Sequence, residues 1–221
     1  MINEYKIYGE RCTGTHYLKE LMQTNFNITE ANNLGSKHFF GVNPLTNTDN
    51  ILFICIVRNP IDWLNSLYKR KHHVPPHLTK SIPKFLNSEW YSINDAANHP
   101  LKGTEIMSDR HIYRNNRYTN IFEMRHVKHQ YLIDDLPNIV KHYLLIKYED
   151  LINDFDNVMI SIKNKGIELR DPIHFPINIM WNCKNKKKLH IANTSDKVIL
   201  SKRIYNHPRF NTYYEKQLGY I

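Results

Sequence analysis

The sequence predicts an α/β fold, a P-loop-like parallel sheet flanked by helices, from three observations. A strand, a glycine-bounded loop and a helix follow one another directly over residues 5–22. A continuous apolar run, Ile51 to Val57, ends in Arg58-Asn59-Pro60 and a second helical pattern. A later apolar stretch, His142 to Tyr148, leads into an amphipathic helix. Strands that alternate with helices build parallel sheets, which receive ligands at the carboxyl ends of their strands.

The first unit begins with Ile7 and Tyr8 in an extended segment and passes through Gly9-Glu10-Arg11-Cys12-Thr13-Gly14-Thr15. Tyr17, Leu18, Leu21 and Met22 then recur at helical spacing, predicting a helix over about 15–25. Such a loop turns backbone N–H groups toward an anion, and the helix N-terminus adds partial positive charge. Gly9 and Gly14 are five apart, the Walker A spacing, but Thr15 and His16 stand where that motif has Lys-Ser or Lys-Thr. The missing lysine disfavours a nucleoside triphosphatase. Two readings stay open at this point: a phosphate loop, and an ordinary strand-to-helix turn capped by Thr13 or Thr15.

Ser36 to Val42 reads as a short strand or strand edge, and Asn43 to Asn50 as a loop rich in Asn, Thr and Pro. The seven apolar residues from Ile51 to Val57 suit a central strand buried on both faces. Asn59 is placed to cap the next helix with Pro60 at its first position, and Trp63, Leu64 and Leu67 line one side. Arg58 therefore sits at a strand's carboxyl end. It is suited either to a bidentate bond with a phosphate or to pairing with a carboxylate; Ser66, eight residues on, is either a hydroxyl donor or a packing residue.

Residues 72–104, with prolines at 75, 76, 83 and 100, read as an irregular excursion. Arg110 to Leu136 is expected to be mostly helical, with a break near Thr119 and Asn120. Glu149 to Lys165 is expected to form one helix, its apolar face Leu151, Ile152, Phe155, Val158, Met159 and Ile162 and its stop Gly166. A basic run from Lys184 to Lys188 precedes a helical segment over about 195–205 and a last one through Leu218.

A length of 221 residues and 41% hydrophobic content fit a single domain, 1–221, with a core that needs neither disulfide nor metal. Cys12, Cys55 and Cys183 are scattered without metal-ligand spacing, as in a reducing compartment. The N-terminal residues lack the apolar run of a signal peptide, and no stretch reaches membrane-spanning length, so a cytoplasmic protein is expected. The net charge of +9, beside 13 histidines, points to an anionic partner: a phosphorylated nucleotide, a sulfated or uronic-acid glycan, or nucleic acid.

Taken together the motifs resemble the sulfotransferases that use 3'-phosphoadenylyl sulfate (PAPS). In that family a Walker-like loop carrying Gly-Thr holds the 5'-phosphosulfate, and Arg11-Cys12-Thr13-Gly14-Thr15 matches it. A strand ending in Arg-x-Pro, with a serine eight residues after the arginine, holds the 3'-phosphate; Arg58-Asn59-Pro60 and Ser66 match that motif. The family's Tyr-Glu-Asp-Leu after a later strand stands as Tyr148-Glu149-Asp150-Leu151. The Gly-Glu-Arg-x-x-Gly-Thr form, with Trp63 after Arg-x-Pro, is most similar to short microbial or viral members.

The resemblance implies a fold, a donor and a set of roles. PAPS is the implied co-substrate and 3',5'-ADP the leaving product, with no metal required. Many members carry a lysine at the position of Cys12; here the cation is Arg11, one residue earlier, and the role of steadying the leaving phosphate oxygen moves to it. His16 is implied as a phosphate ligand or a packing residue. His38, twenty residues before Arg58, stands where the family places its catalytic histidine, and is implied as general base, with Lys37, His72 and His73 as alternatives. Lys186, within the basic run, is implied in closing over the 3'-phosphate, a solvated charge run being the alternative.

The acceptor stays open among a sugar hydroxyl or amine, a tyrosine, a lipid and a small alcohol, with an anionic carbohydrate suited to the charge. Nucleic acid is not expected. The competing classes are a P-loop-type nucleotide kinase or hydrolase, and a non-catalytic binder of phosphorylated ligands or nucleic acid.

Overall fold

The structure, a computed structural model, describes residues 1–171, 173, 180–183, 186–189 and 200–221, with side chains described outside 180–189. These fall into two compact units. The first comprises Met1–Lys37, Asn43–Arg58 and Leu136–Lys197; the second comprises His38–Val42, Asn59–Asp135 and Val198–Ile221.

The first unit carries a four-stranded parallel sheet in the order β2-β1-β3-β4. Its strands are β1 (Glu4–Tyr8), β2 (Thr29–Glu30), β3 (Ile51–Val57) and β4 (His142–Lys147). Tyr5 pairs with Leu52 and Tyr8 with Cys55, while Val57 pairs with Lys147. All seven residues of β3 are buried, as a central parallel strand demands. Tyr5, Ile7, Leu52, Ile54 and Ile56 alternate onto one face and pack with Leu18, Leu21 and Met22 of α1 (Thr15–Asn25) and with Val158, Met159 and Ile162 of a later helix. On the strand positions between them, Lys6 donates through Nζ to Gly35 O at 2.7 Å, and Tyr8 through its hydroxyl to Leu34 O at 2.7 Å. The expected parallel α/β sheet is thus observed, and β2 adds an edge strand too short to carry a pattern of its own.

In the second unit Asn59 accepts from Ile61 N at 3.0 Å, and Pro60 opens α2 (Pro60–Arg70), as expected. A short helix, α3 (Ile82–Asn87), interrupts the irregular stretch. The longest helix after that is α4 (Ile121–Gln130), which runs on into a π-helical turn at Tyr131–Asp135. A short α5 (Leu136–Ile139) then leads to β4 in the first unit.

Several expected elements differ. Ser36 to Val42 forms no strand, because positive φ at Gly35 and Gly41 bends the chain at both ends. Residues 110–119 are not helical: Arg117 is drawn to Glu105 and Glu89, and Tyr118 exchanges backbone bonds with Trp90. Asn120 is the cap that starts α4, accepting from Phe122 N and Glu123 N, rather than a break within a helix. Glu149 to Lys165 is two helices, α6 (Tyr148–Asn153) and α7 (Phe155–Lys163), parted at Asp154 where φ is −140°. Gly166 ends α7 at φ +87°, as expected.

Of the basic run, Lys186, Lys187 and Lys188 lie on β6 (Lys186–Leu189), which pairs antiparallel with β5 (Met180–Cys183), while residues 184 and 185 lie outside the described residues. Residues 195–199 of the expected penultimate helix lie outside the described residues, and Lys202–Asn206 is a turn of 3-10 helix. The chain finishes with α8 (Tyr213–Gln217). Among the described residues no helix is long and apolar enough to cross a membrane.

Candidate functional site

The loop between β1 and α1 closes on itself through Glu10. The Glu10 carbonyl accepts from Thr13 N at 3.2 Å and from Thr13 Oγ1 at 2.6 Å. Its carboxylate accepts from Arg11 N at 2.8 Å and Arg11 Nε at 2.6 Å. This ion pair is nearly sealed from solvent, with Arg11 at 1% and Glu10 at 7% side-chain exposure. Burial on that scale makes the carboxylate integral to the loop, since an arginine desolvated without a partner is strongly unfavourable. Spacing in the sequence gives no sign of this role for Glu10, which follows only from its neighbour's buried guanidinium.

Glycine is required at both ends. A Cβ on Gly9 would stand 2.6 Å from Ile56 Cγ2 and 2.7 Å from the Ile56 carbonyl. Gly14 has φ +100° and forms the N-cap of α1, with no side-chain cap bond and no acidic residue in the helix's first turn. The first turn of α1 thus adds no carboxylate of its own against the partial positive charge of the helix N-terminus. Thr15 is buried as the first residue of the helix, and His16 beside it is exposed. Cys12 adopts φ +65° and is not in a disulfide. Thr13 is not the cap of α1; its hydroxyl is used inside the loop.

Arg58, at the carboxyl end of β3, reaches this loop. Its Nη1 donates to Cys12 O at 3.1 Å, and its guanidinium lies 4.4 Å from the centre of the Tyr148 ring. The half-buried guanidinium thus packs against an aromatic face while it donates to a backbone carbonyl. The structure therefore brings together Arg11, Cys12, Thr13, Gly14, Thr15 and Arg58, separated by more than forty residues in the chain. Tyr148, named in the sequence only as part of a strand-end motif, is the packing partner of both Gly14 and Arg58.

Lys37 joins the same neighbourhood through its backbone, its carbonyl accepting from Gly9 N at 3.0 Å. Burial pushes its amine down to about 8, against the opposing pull of Glu30. Lys186 lies on β6, its side chain outside those described.

The second unit holds the other two predicted residues. Ser66 is half-buried on α2. His38 is half-buried, its ring 6.4 Å from that of Phe39, and its carbonyl accepts from Lys128 Nζ at 2.9 Å. That lysine is itself buried and paired at 2.5 Å with Asp109.

No protein-family profile matches the chain, and no curated protein matches it in sequence. Among solved structures it is similar to mouse sulfotransferase SULT7A1 complexed with PAP. The TM-score is 0.42 and the identity 17%, over 98% of this chain and 82% of that one. A likeness of that size does not bear on what this chain binds.

The loop's dependence on Gly14 is measurable. A Cβ there would overlap the Tyr148 ring in addition to forcing an L residue into the left-handed region. Gly166, at φ +87°, has nothing within 4 Å of the place a methyl group would take and supplies the control. Gly166→Ala is expected to cost about 1 kcal/mol, the conformational term alone. Gly14→Ala is expected to cost at least about 2 kcal/mol more, as overpacking does. Equal losses in urea titration would mean that Tyr148 yields freely.

Proposed function

We propose that the chain is a PAPS-dependent sulfotransferase, moving a sulfuryl group to a hydroxyl or amine acceptor by in-line displacement. The observation that carries this reading is the convergence of two separately recognised motifs. Arg58, from the Arg-x-Pro strand end, is bonded to the backbone of the Gly-Glu-Arg-x-x-Gly-Thr loop. An ordinary strand-to-helix turn has no need of an arginine from a different strand with an aromatic ring behind it.

In this reading the α1 N-terminus and the loop amides receive the 5'-phosphosulfate, while Arg58 and Ser66 receive the 3'-phosphate. The acceptor oxygen attacks sulfur: a new S–O bond forms, the S–O bond to the 5'-phosphate breaks, and its electron pair leaves with 3',5'-ADP. The acceptor's proton passes to His38. Arg11 stabilises the growing charge on the departing oxygen. Because Glu10 holds Arg11 through Nε, the guanidinium is positioned before any ligand arrives, which reduces the reorganisation needed during the reaction. The scheme calls for no metal. Net positive charge favours an acceptor bearing anionic groups, such as an acidic carbohydrate.

Calorimetry with 3',5'-ADP and 5'-AMP tests the reading. The wild type is expected to prefer 3',5'-ADP without added metal. Arg58→Ala is expected to lose most of that preference, about 2–3 kcal/mol for a charge-assisted bond. Equal affinity of the wild type for both nucleotides overturns the assignment of the Arg-x-Pro motif, and tighter binding of ATP that needs Mg²⁺ would favour a kinase or hydrolase.

A further inference from the structure

The second unit contains a cluster that the proposed reaction does not use. α2 ends at Arg70; its C-cap Lys71, at φ +41°, turns the chain out of the helix, and His73 follows at φ +58°. These turns set His72 and His73 side by side, ring centres 3.9 Å apart, against Asp95 from the next segment. His72 Nδ1 lies 2.9 Å from Asp95 Oδ2, and His73 Nδ1 lies 3.1 Å from Asp95 Oδ1.

The arrangement is fixed by the backbone. His73 N donates to Asp95 Oδ2 at 2.7 Å, and Ile93 N donates to His73 O at 3.0 Å. His73 Nδ1 lies 2.9 Å from the Ile93 carbonyl; a carbonyl only accepts, so this nitrogen donates to it, which orients the ring and leaves Nε2 as the nitrogen with a lone pair for an ion. Asp95 Oδ1 is buried and, although 3.1 Å from His73 Nδ1, does not meet it in hydrogen-bonding geometry. With that ring N–H directed at Ile93 O, Asp95 Oδ1 is a buried carboxylate oxygen that receives no hydrogen bond, an atom a cation would satisfy.

We propose that His72, His73 and Asp95 form a binding site for a divalent first-row transition-metal ion of the zinc class. One ligand atom from each residue lies within 4.8 Å of the others. Bonds of ~2.1 Å put adjacent ligand atoms about 3–3.5 Å apart and none beyond about 4.2 Å, so a small contraction completes the set. Two imidazoles with a carboxylate suit zinc, cobalt or nickel better than calcium or magnesium, which prefer all-oxygen shells. His72 keeps 58% of its side chain exposed, which gives the ion a path in, whereas His73 and Asp95 are mostly covered at 19% and 28%. The ion would tie the end of α2 to residues 93–95, a structural clasp independent of sulfuryl transfer.

The test uses chelator-treated full-length protein titrated with Co²⁺ and Zn²⁺, following the Co²⁺ visible bands, calorimetric heat and thermal midpoint. Wild type is expected to bind one equivalent and to melt higher with Zn²⁺. His72→Ala, whose side chain is largely exposed, and Asp95→Asn are each expected to weaken binding by at least about 10-fold and to abolish the rise in midpoint. His99→Ala, another exposed histidine of the second unit, is expected to behave as wild type. Binding that is no tighter in the wild type than in His72→Ala, or that survives Asp95→Asn, overturns the site. Neither outcome depends on whether 3',5'-ADP binds.

Discussion

Lys128→Met is expected to destabilise the protein by about 3–5 kcal/mol, the usual cost of stranding one member of a buried ion pair. Lys128 is 2% exposed and its Nζ stands 2.5 Å from Oδ1 of Asp109, whose side chain is completely covered. The other Asp109 oxygen accepts from the Ser92 hydroxyl, and Nζ also donates to His38 O at 2.9 Å. The rings of Phe39 and Phe40 lie 5.9 and 5.4 Å from Nζ, so no water replaces the lost ammonium cheaply. Methionine keeps the length and apolar character of the stem, which confines the effect to the charge. Chemical unfolding of Lys128→Met, Asp109→Leu and the double variant gives the coupling. The double variant is expected to be more stable than the sum of the single losses predicts, because no charge is left unpaired. Additive losses, or a single loss below about 1 kcal/mol, would show that the pair is solvated in solution.

His38→Ala is expected to lower sulfuryl transfer by roughly 10²- to 10⁴-fold, the contribution of a positioned base, while 3',5'-ADP affinity stays nearly unchanged. The separation matters, because the proposal gives His38 a part in proton transfer and none in donor binding. Lys128 fixes the backbone at His38, so Lys128→Met is expected to lower transfer as well, in the fraction of protein that remains folded. Measuring turnover and nucleotide affinity on the same preparations distinguishes the two outcomes. If His38→Ala transfers normally while its nucleotide binding collapses, the histidine serves the donor or the fold. The base is then sought first at Lys37, whose amine is pushed down to about 8 by burial. Below that value the amine is protonated and cannot accept a proton, so a lysine base predicts transfer that rises with pH toward the alkaline side.

The strands and helices that are legible in the sequence are those whose burial pattern is local. Ile51 to Val57 is apolar without interruption because both of its faces are covered, and Tyr17, Leu18, Leu21 and Met22 mark one side of α1. Asn59-Pro60 declares a helix start by its own chemistry. Where expectation and structure part, the deciding contacts come from far along the chain. The non-helical course of residues 110–119 follows from Arg117 meeting Glu89 and Glu105, twenty-eight and twelve residues away. The missing strand at Ser36 to Val42 follows from glycines whose positive φ no periodicity reveals.

The candidate site divides along the same line. The loop residues from Gly9 to Thr15, and Arg58 at a strand end, were legible in the sequence, because glycine spacing and residue type within a few positions mark a strand-loop-helix unit and a strand end, whether the loop holds a phosphate or is an ordinary turn. That Arg58 bonds the Cys12 carbonyl, that Tyr148 fills the space a Gly14 side chain would need, and that Glu10 neutralises Arg11 were decided only by the tertiary structure. The meeting of His72 and His73 with Asp95 was decided there too, twenty-two residues apart in a stretch with no regular pattern. Each of these depends on side-chain direction and on burial. Neither is encoded in local spacing; both follow from which strands become neighbours and how tightly the chain packs between them.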